Sequence, residues 1–261
     1  MDFNLEGKTV AITGASEGIG RAIATQLAAL GCNLRLAARS AENLDAVKEA
    51  VRASANVAVE TYPLDLSKSE NQQAFAKACV DDADILINNA GAIPGGRIDE
   101  IDEATWRAAW DLKVFGYINI TREFYAAMKA RGRGVILNII GTGGEKPVAE
   151  YIAGAAGNAS LMAFTRALGG SSPKDGIRVL AINPGPVATD RLIGLFKKSA
   201  RDRFDDEERY EELFAPLPFG RAGAPEEVAS MAAFLVSDLS SYTSGTVITL
   251  DGGQVNKGQL F

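Results

Sequence analysis

The amino-acid sequence predicts an α/β fold with a doubly wound parallel sheet. Two observations support this prediction: short apolar runs bounded by turn residues alternate along the chain with longer segments that carry apolar residues at helical spacing. Parallel strands separated by helices need crossover connections, and such connections cover both faces of the sheet. No internal repeat, linker or low-complexity tract interrupts the pattern, so a single domain over residues 1–261 is expected.

Seven apolar runs are predicted to be buried strands, and the segments between them are predicted to be helices. The strands are residues 9–13, 33–38, 57–63, 85–88, 135–140, 178–182 and 247–250. The helices are residues 19–30, 41–52, 68–80, 103–129, 152–168 and 225–236. Gly31 follows the first helix, where a glycine suits the left-handed conformation that ends many helices.

Composition excludes several classes of function. Hydrophobic residues make up 47% of the chain and charged residues 23%, which is the balance of a globular protein. The net charge of −6 argues against a surface for nucleic acid or for an anionic membrane. Residues 1–6 lack the basic start of a secretion signal, and no apolar run is long enough to span a bilayer. We therefore expect a cytoplasmic protein that binds small molecules and no membrane.

The chain contains no histidine and only two cysteines, Cys32 and Cys79. Acid–base chemistry would therefore fall to tyrosine, lysine, a carboxylate or a cofactor. No CxxC motif or cluster of ligands surrounds either cysteine, which favours buried thiols over a disulfide. No metal site is expected.

A glycine-rich turn, Thr-Gly-Ala-Ser-Glu-Gly-Ile-Gly at residues 13–20, follows the first strand and opens the first helix. Gly14 permits a tight exit from the strand, Gly18 lets backbone approach a phosphate, and Gly20 lets the helix lie close to the sheet. The N-terminus of the helix then faces the diphosphate. The turn thus predicts a dinucleotide-binding Rossmann fold.

The sequence resembles the short-chain dehydrogenase/reductase family. The motifs that carry this resemblance occur in family order over nearly the whole chain: residues 13–20, Asp65-Leu66, 88–91, 183–185 with Thr189, and 250–253. The resemblance implies a cofactor site formed by Gly14, Ser16, Glu17, Gly18, Ile19, Gly20, Asp65, Leu66, Asn89, Ala90, Gly91, Pro184, Gly185, Val187 and Thr189. In this site Asp65 would contact the adenine, residues 89–91 the ribose side, and residues 184–189 the nicotinamide end.

The choice between the two nicotinamide cofactors depends on the end of the second strand. NAD usually needs an acidic residue there, whereas the 2′-phosphate of NADP needs an arginine. Arg39 occupies this region with no carboxylate before it, which favours NADP(H) over NAD(H). Glu17 in the glycine turn argues the other way, and an ordinary surface role for Arg39 stays open.

The reaction centre departs from the pattern that the resemblance implies. In the family a tyrosine transfers the proton, a lysine four residues later lowers its pKa, a serine orients the substrate, and an asparagine anchors a water chain. Alignment through residues 158–166 puts the tyrosine position at Gly154 and the lysine position at Asn158. It puts the serine position at Gly141 and the asparagine position at Lys113. Lysine and asparagine have thus exchanged helices, and the tyrosine and serine positions are glycines.

We expect a rebuilt set of catalytic residues. Tyr151 lies one helical turn before Gly154 and seven positions before Asn158, the separation found in the enoyl-thioester reductase branch of the family. The hypothesis assigns proton transfer to Tyr151, electrostatic tuning to Lys113, and orientation of the substrate to Asn158 or Thr142. The expected reaction is reduction of a carbonyl or activated C=C bond, or the reverse oxidation, on a small to medium apolar substrate.

Other interpretations remain open at this point. Tyr151 is also consistent with packing at a helix start, Lys113 with a side chain that reaches solvent, and the glycines with a larger cavity. Hydride transfer without a dedicated protein acid is a further alternative. Two other classes of function are a dinucleotide-binding sensor or partner subunit without redox turnover, and a lyase or isomerase.

Residues 191–220 are expected to form a substrate lid, and residues 147–150 and 214–219 to wall the substrate pocket. Within the lid, the mixed charges of residues 197–210 fit either a solvated helix face or a mobile cover.

Trp106 and Trp110 are four residues apart, which is typical of core or subunit packing. The resemblance implies a homodimer or homotetramer.

Overall fold

The computed structural model describes residues 2–257, which form one domain around a single seven-stranded sheet. All of the strand pairs in this sheet are parallel. The strands are β1 (Thr9–Thr13), β2 (Asn33–Ala38), β3 (Val59–Pro63), β4 (Ile85–Asn88), β5 (Gly134–Ile139), β6 (Ile177–Pro184) and β7 (Val247–Leu250). Their order across the sheet is β3-β2-β1-β4-β5-β6-β7.

Eight α-helices of the described residues connect these strands. They are α1 (Gly18–Ala29), α2 (Ala41–Ser54), α3 (Ser69–Cys79), α4 (Glu103–Trp110), α5 (Gly116–Arg131), α6 (Ile152–Ser171), α7 (Asp190–Phe204) and α8 (Pro225–Val236). Short 3-10 turns and one π-helical turn, at Asp111–Phe115 between α4 and α5, complete the described part of the chain.

The helices cover both faces of the sheet and bury a hydrophobic core on each. On one face, Leu27 of α1 and Val228 of α8 pack in the same core as Ile12 of β1. On the other face, Phe75 of α3 packs in a second core with Phe124 of α5. Coverage of both faces confirms the doubly wound α/β class that the alternating apolar pattern predicts.

The strand order reverses between β1 and β4, because β2 and β3 lie on one side of β1 and β4 to β7 lie on the other. In an open parallel sheet, a crevice opens beyond the carboxyl ends of the two strands that flank such a point, and ligands bind there. The loops that follow β1 and β4 therefore define where a functional site is expected.

Several local predictions can be compared with the structure. Gly31 has a φ of +83°, so the left-handed conformation predicted after the first helix is confirmed. The predicted helix over residues 103–129 is confirmed, because the chain is helical from Glu103 to Arg131, but it contains a π-helical turn that the sequence did not predict. Cys32 and Cys79 are buried and unbridged, as predicted. Within residues 2–257, no helix combines the length and apolar character needed to cross a membrane.

Candidate functional site

The glycine turn packs so closely that side chains are excluded from it. Gly14 has a φ of +66°, and a Cβ there would lie 2.8 Å from the Cα of Ala90. A Cβ at Gly20 would lie 2.1 Å from the carbonyl oxygen of Gly14. Contacts this short require glycine, because a real Cβ would overlap the backbone. The first and third glycines therefore have the roles that the sequence predicts, close packing of strand, turn and helix.

The loops after β1 and β4 are held together by hydrogen bonds. The Oγ1 of Thr13 accepts from the backbone N–H groups of Asn89 and Ala90, at 3.0 and 3.1 Å. The side-chain amide of Asn89 donates back to the carbonyl oxygen of Gly14 at 2.9 Å. These bonds fix the two edges of the crevice relative to each other.

Helix α1 begins at Gly18 and leaves its first N–H groups available. Glu17 precedes the helix, and its side chain forms no capping hydrogen bond there. Gly18 has a φ of +49°, and a Cβ at this residue would lie 2.9 Å from the Cγ2 of Thr189. Ser16 and Ile19 belong to the same turn. Open N–H groups at the positive end of a helix dipole fit a diphosphate, so the residues present fit a dinucleotide.

Arg39 and Asp65 lie at the carboxyl ends of β2 and β3. Arg39 is exposed, whereas Asp65 is half-buried and Leu66 is buried. Burial acts to raise the pKa of the Asp65 carboxyl, but hydrogen bonds from Ser67 and the charge of Arg39 outweigh it and lower the pKa. Glu17 accepts a hydrogen bond from the side-chain amide of Asn43 at 2.9 Å, next to this region.

The opposite end of the crevice is formed by the loop after β6. The N–H of Gly185 donates to the carbonyl oxygen of Leu250 at 2.9 Å, and a Cβ at Gly185 would lie 2.8 Å from the Cβ of Asp251. Pro184 ends β6, and Val187 is buried. The 183–189 and 250–253 motifs, far apart in the chain, therefore meet.

Lys113 lies on the π-helical turn and enters the crevice from the α4–α5 side. Its Nζ donates to the carbonyl oxygen of Ile140 at 2.6 Å. A Cβ at Gly91 would lie 2.8 Å from the Cδ of Lys113, so the glycine after β4 makes room for this side chain. Burial, with a smaller contribution from the charge of Arg191, lowers the pKa of Lys113 to about 8.

Tyr151 immediately precedes α6, and its ring lies directly over Gly154. A Cβ at Gly154 would lie 2.0 Å from the Cζ of Tyr151, and one at Gly143 would lie 3.1 Å from its Cδ1. The phenol thus occupies the space that a side chain at residue 154 would need. Burial raises the pKa of Tyr151, and the charge of Arg191 partly opposes this shift.

Asn158 lies in α6 and Thr142 in the glycine loop after β5. Asn158 is 2% exposed, and its Oδ1 has no hydrogen-bond partner among the residues that the structure describes. Its Nδ2 would lie 3.2 Å from a Cβ at Gly141, which has a φ of +136°. Thr142 opens a 3-10 turn in the same loop and is half-buried. A buried amide oxygen without a partner is able to accept a hydrogen bond from a ligand or water.

The sequence assigned no catalytic or cofactor-binding role to two further polar side chains at the site. The Nη2 of Arg191, in the first turn of α7, donates to the carbonyl oxygen of Ile93 at 2.8 Å. The Oε1 of Glu145 accepts from Asn183 and Thr249, at 2.5 Å each. Arg191 follows the 183–189 motif by two residues, and that proximity was the only available signal.

Trp110 packs inside the subunit beside the site. Its indole Nε1 donates to the carbonyl oxygen of Ala153 at 3.0 Å. Trp106 and Tyr151 pack against the same small hydrophobic cluster, whose buried members include Ile93. Both tryptophans thus pack against the core of the chain, and subunit packing stays a prediction.

The loops around β6 and β7 enclose a cavity of about 220 Å³ beyond the carboxyl edge of the sheet. The cavity lies between residues 186–187, from the loop after β6, and residues 217–219, which belong to the predicted pocket wall. The cavity is lined by residues that include Pro186, Val187, Leu217, Pro218, Phe219 and Leu250.

Comparison with known proteins agrees with this geometry. Residues 14–254 match the family model described as enoyl-(acyl carrier protein) reductase. Galactitol 2-dehydrogenase (L-tagatose-forming) of Cereibacter sphaeroides is 34% identical over 256 residues, which cover 96% of each chain. Acetoacetyl-CoA reductase of Shinella zoogloeoides is 33% identical over 249 residues, or 93% of this chain and 96% of the relative.

Among solved structures, L-sorbose reductase from Gluconobacter frateurii, complexed with NADPH and L-sorbose, superposes with a TM-score of 0.93. It is 31% identical, and the match covers 99% of this chain and 100% of that one. The chain therefore belongs to the short-chain dehydrogenase/reductase family of NAD(P)(H)-dependent oxidoreductases, as the resemblance in its motifs predicts.

Proposed function

We propose that this chain interconverts a carbonyl and an alcohol, or reduces an activated C=C bond, through a reaction centre built on Tyr151. The observation that carries the proposal is the position of the Tyr151 ring over Gly154, where the family resemblance puts the tyrosine. The names of the relatives, a galactitol dehydrogenase, an acetoacetyl-CoA reductase and an L-sorbose reductase, support carbonyl–alcohol chemistry.

In the proposed reduction, Tyr151 acts as the general acid. A bound nicotinamide cofactor supplies the hydride when a carbonyl is reduced and accepts it when an alcohol is oxidised. The Tyr151 hydroxyl donates its proton to the carbonyl oxygen as the C=O bond becomes C–OH, and solvent replaces that proton. The raised pKa of Tyr151 keeps the phenol protonated at neutral pH, which supports a donor role in the direction of reduction.

Lys113, Asn158 and Thr142 are proposed to complete the centre. Lys113 brings a positive charge into the same crevice, and its pKa of about 8 lets it exchange protons near neutral pH. The unpartnered Oδ1 of Asn158 is proposed to hold a substrate hydroxyl or a water. Thr142 is proposed to orient the substrate from the loop after β5, where it is half-buried at the start of the 3-10 turn.

We propose a preference for NADP(H) over NAD(H). Arg39 is exposed at the end of β2, and no carboxylate lies within ion-pair distance of it among residues 2–257. A planar guanidinium matches the oxygens of a 2′-phosphate. The NADPH in the structure of the Gluconobacter reductase supports the same choice. The hydrogen bond between Asn43 and Glu17 holds a carboxylate nearby, which is the main opposing feature.

Residues 191–220 are proposed to act as a substrate lid. In α7, Ala200 is the only buried residue, so this helix has few contacts with the core. Its aromatic side chains pack instead against the 3-10 segment that follows, with the Phe196 and Phe214 rings 4.8 Å apart. A unit that packs on itself and weakly on the core is able to move as one body.

A homodimer or homotetramer is proposed for the assembly.

The experiment that tests this function follows the absorbance of reduced nicotinamide during incubation with NADPH or NADP⁺ and a panel of carbonyls and alcohols. Turnover that is lost in Tyr151→Phe and Lys113→Ala supports the proposal. Tight binding of NADPH without oxidation across the panel would indicate a binding protein instead. Conversion of substrate without net change in the nicotinamide would indicate a lyase or isomerase.

A further inference from the structure

We propose that Arg191 binds an anionic group of the substrate, a carboxylate or a phosphate, next to the reacting carbon. This inference rests on the proposed function, because it specifies the substrate class of the same site. It also changes the expectation from the sequence, which was an apolar substrate.

Arg191 lies at the start of the proposed lid. Thr189 caps α7 by accepting from the N–H of Leu192 at 3.3 Å, so Arg191 lies in the first turn of that helix. Its Nη2 donates to the carbonyl oxygen of Ile93 at 2.8 Å. Ile93 is buried in the cluster against which Tyr151 packs. The guanidinium therefore contacts the same residue whose cluster Tyr151 packs against.

Arg191 has no acidic partner among the described residues, unlike three basic residues nearby. Lys197 pairs with Glu208 at 2.8 Å, and Arg201 pairs with Glu207. Across the crevice, Arg97 pairs with Glu150 at 2.8 Å. Within the described range, residues 2–257, no carboxylate lies within 4.0 Å of Arg191. Its positive charge is therefore not compensated by the protein at this position.

A guanidinium in this state suits an anionic ligand. Arginine carries five N–H donors, and the bond to Ile93 uses one of them. The remaining donors match the paired oxygens of a carboxylate or phosphate in a two-point contact. Burial raises the pKa of Tyr151 and the charge of Arg191 partly opposes this shift, whereas for Lys113 burial lowers the pKa and the charge of Arg191 adds to the lowering.

The alternative is a purely structural role, in which Arg191 joins the lid to the loop after β4. The two roles make different predictions for matched substrates. A structural role affects charged and neutral substrates equally, since the lid serves both. An anion-binding role affects only the substrates that carry the anion.

The test uses two matched pairs of ketones with NADPH: acetoacetate with methyl acetoacetate, and dihydroxyacetone phosphate with dihydroxyacetone. The variants are Arg191→Met and Arg191→Lys. Arg203→Met is the control, since it removes the same charge from the opposite end of α7. The ratio of kcat/KM between the charged and the neutral member of each pair is measured for every protein.

The proposal predicts that the wild-type protein prefers one anionic probe to its neutral partner. A preference for acetoacetate would identify a carboxylate as the bound group, and a preference for dihydroxyacetone phosphate would identify a phosphate. Arg191→Met should lower that preference about tenfold to hundredfold, Arg191→Lys less, and Arg203→Met not at all. Absence of a preference in the wild-type protein, or an equal loss for both members of a pair in Arg191→Met, would overturn it.

A binding measurement separates failure of this inference from failure of the proposed function. If no probe is turned over, the redox proposal fails, but titration calorimetry of acetoacetate and dihydroxyacetone phosphate into the NADPH complex still tests Arg191. Weaker binding of either anion to Arg191→Met than to the wild-type protein supports the anion site. Equal dissociation constants, or no binding to the wild-type protein, would contradict it.

Discussion

The phenol ring of Tyr151 covers the Cα of Gly154, so closely that a Cβ at residue 154 would lie 2.0 Å from the ring carbon that bears the hydroxyl. The two residues are one helical turn apart, at the start of α6. A tyrosine at 151 in this orientation and a side chain at 154 are mutually exclusive. The glycine at residue 154 is therefore a condition for the position of the phenol.

Gly154→Ala should displace the Tyr151 ring and reduce turnover. The added methyl group overlaps the ring, and forcing a side chain into filled space costs about 1–3 kcal/mol of unfolding free energy. We expect kcat to fall at least about tenfold if the phenol transfers the proton. Thermal unfolding and steady-state kinetics with an accepted substrate measure the two effects.

Gly170→Ala is the matched control for that variant. Gly170 lies in the same helix, and a Cβ there meets nothing within 4 Å. Replacing a helical glycine by alanine should stabilise the protein by about 0.5–1 kcal/mol and leave kcat unchanged. If Gly154→Ala behaved like Gly170→Ala in both measurements, the packing argument for Tyr151 would be wrong.

The half-buried side chain of Lys113 should make the stability of the protein depend on pH in a specific window. Its pKa is lowered from 10.5 to about 8 in the folded protein, so between these values the unfolded chain binds a proton that the folded chain does not. The free energy of unfolding then rises with pH, by up to about 1.4 kcal/mol per pH unit, from pH 8 to 10.5. Below pH 8 the amine is charged in both states and contributes no slope.

This slope is measured as the difference between the wild-type protein and Lys113→Met in denaturant unfolding at a series of pH values. Taking the difference removes the contributions of Cys32 and Cys79, whose thiols have pKa values that burial raises to about 12. Lys198→Met, which removes an exposed lysine of α7, should keep the wild-type slope. If the free energy of unfolding changed with pH in the same way in the wild-type protein and in Lys113→Met, the pKa of Lys113 would not be lowered in the folded protein.

Arg39 should decide between the two nicotinamide cofactors. Loss of a charge-assisted contact with a 2′-phosphate should weaken the binding of NADPH to Arg39→Gln about tenfold to hundredfold. NADH lacks that phosphate, so its dissociation constant should change little. Glu17→Gln should tighten NADPH, because it removes the nearby carboxylate. Fluorescence titration gives both constants, and an equal effect of Arg39→Gln on the two cofactors would refute the assignment.

Much of the fold could be predicted because its signals are local. Strands β1, β2, β4 and β7 begin and end where the apolar runs do, and Gly31 ends the first helix as predicted. Strand β6 is longer than its apolar run, because the sheet pairing extends through Asn183 and Pro184. The π-helical turn at residues 111–115 leaves no periodic signal, and the helical pattern over residues 103–129 continues through it.

The site was harder to predict because it depends on contacts between distant segments. The glycine turn and the motifs after β4 and β6 are local, and the structure brings them to one crevice. Tyr151 could be selected by its spacing from Asn158. By contrast, the contact of Arg191 with Ile93 joins residues 98 positions apart, and nothing in the local sequence identifies it. The exchange of lysine and asparagine is a prediction that rests on the family resemblance alone.

The central claim is that Tyr151 supplies the proton, and a single-turnover measurement tests it most directly. NADPH-loaded protein is mixed with saturating substrate, and the first-order oxidation of NADPH is compared in the wild-type protein, Tyr151→Phe and Tyr117→Phe. Tyr117 is a buried phenol nearby that donates to the carbonyl oxygen of Ile139 at 2.8 Å. We predict a loss of about 10²–10⁴-fold in Tyr151→Phe and a nearly unchanged rate in Tyr117→Phe. A wild-type rate in Tyr151→Phe would contradict the account.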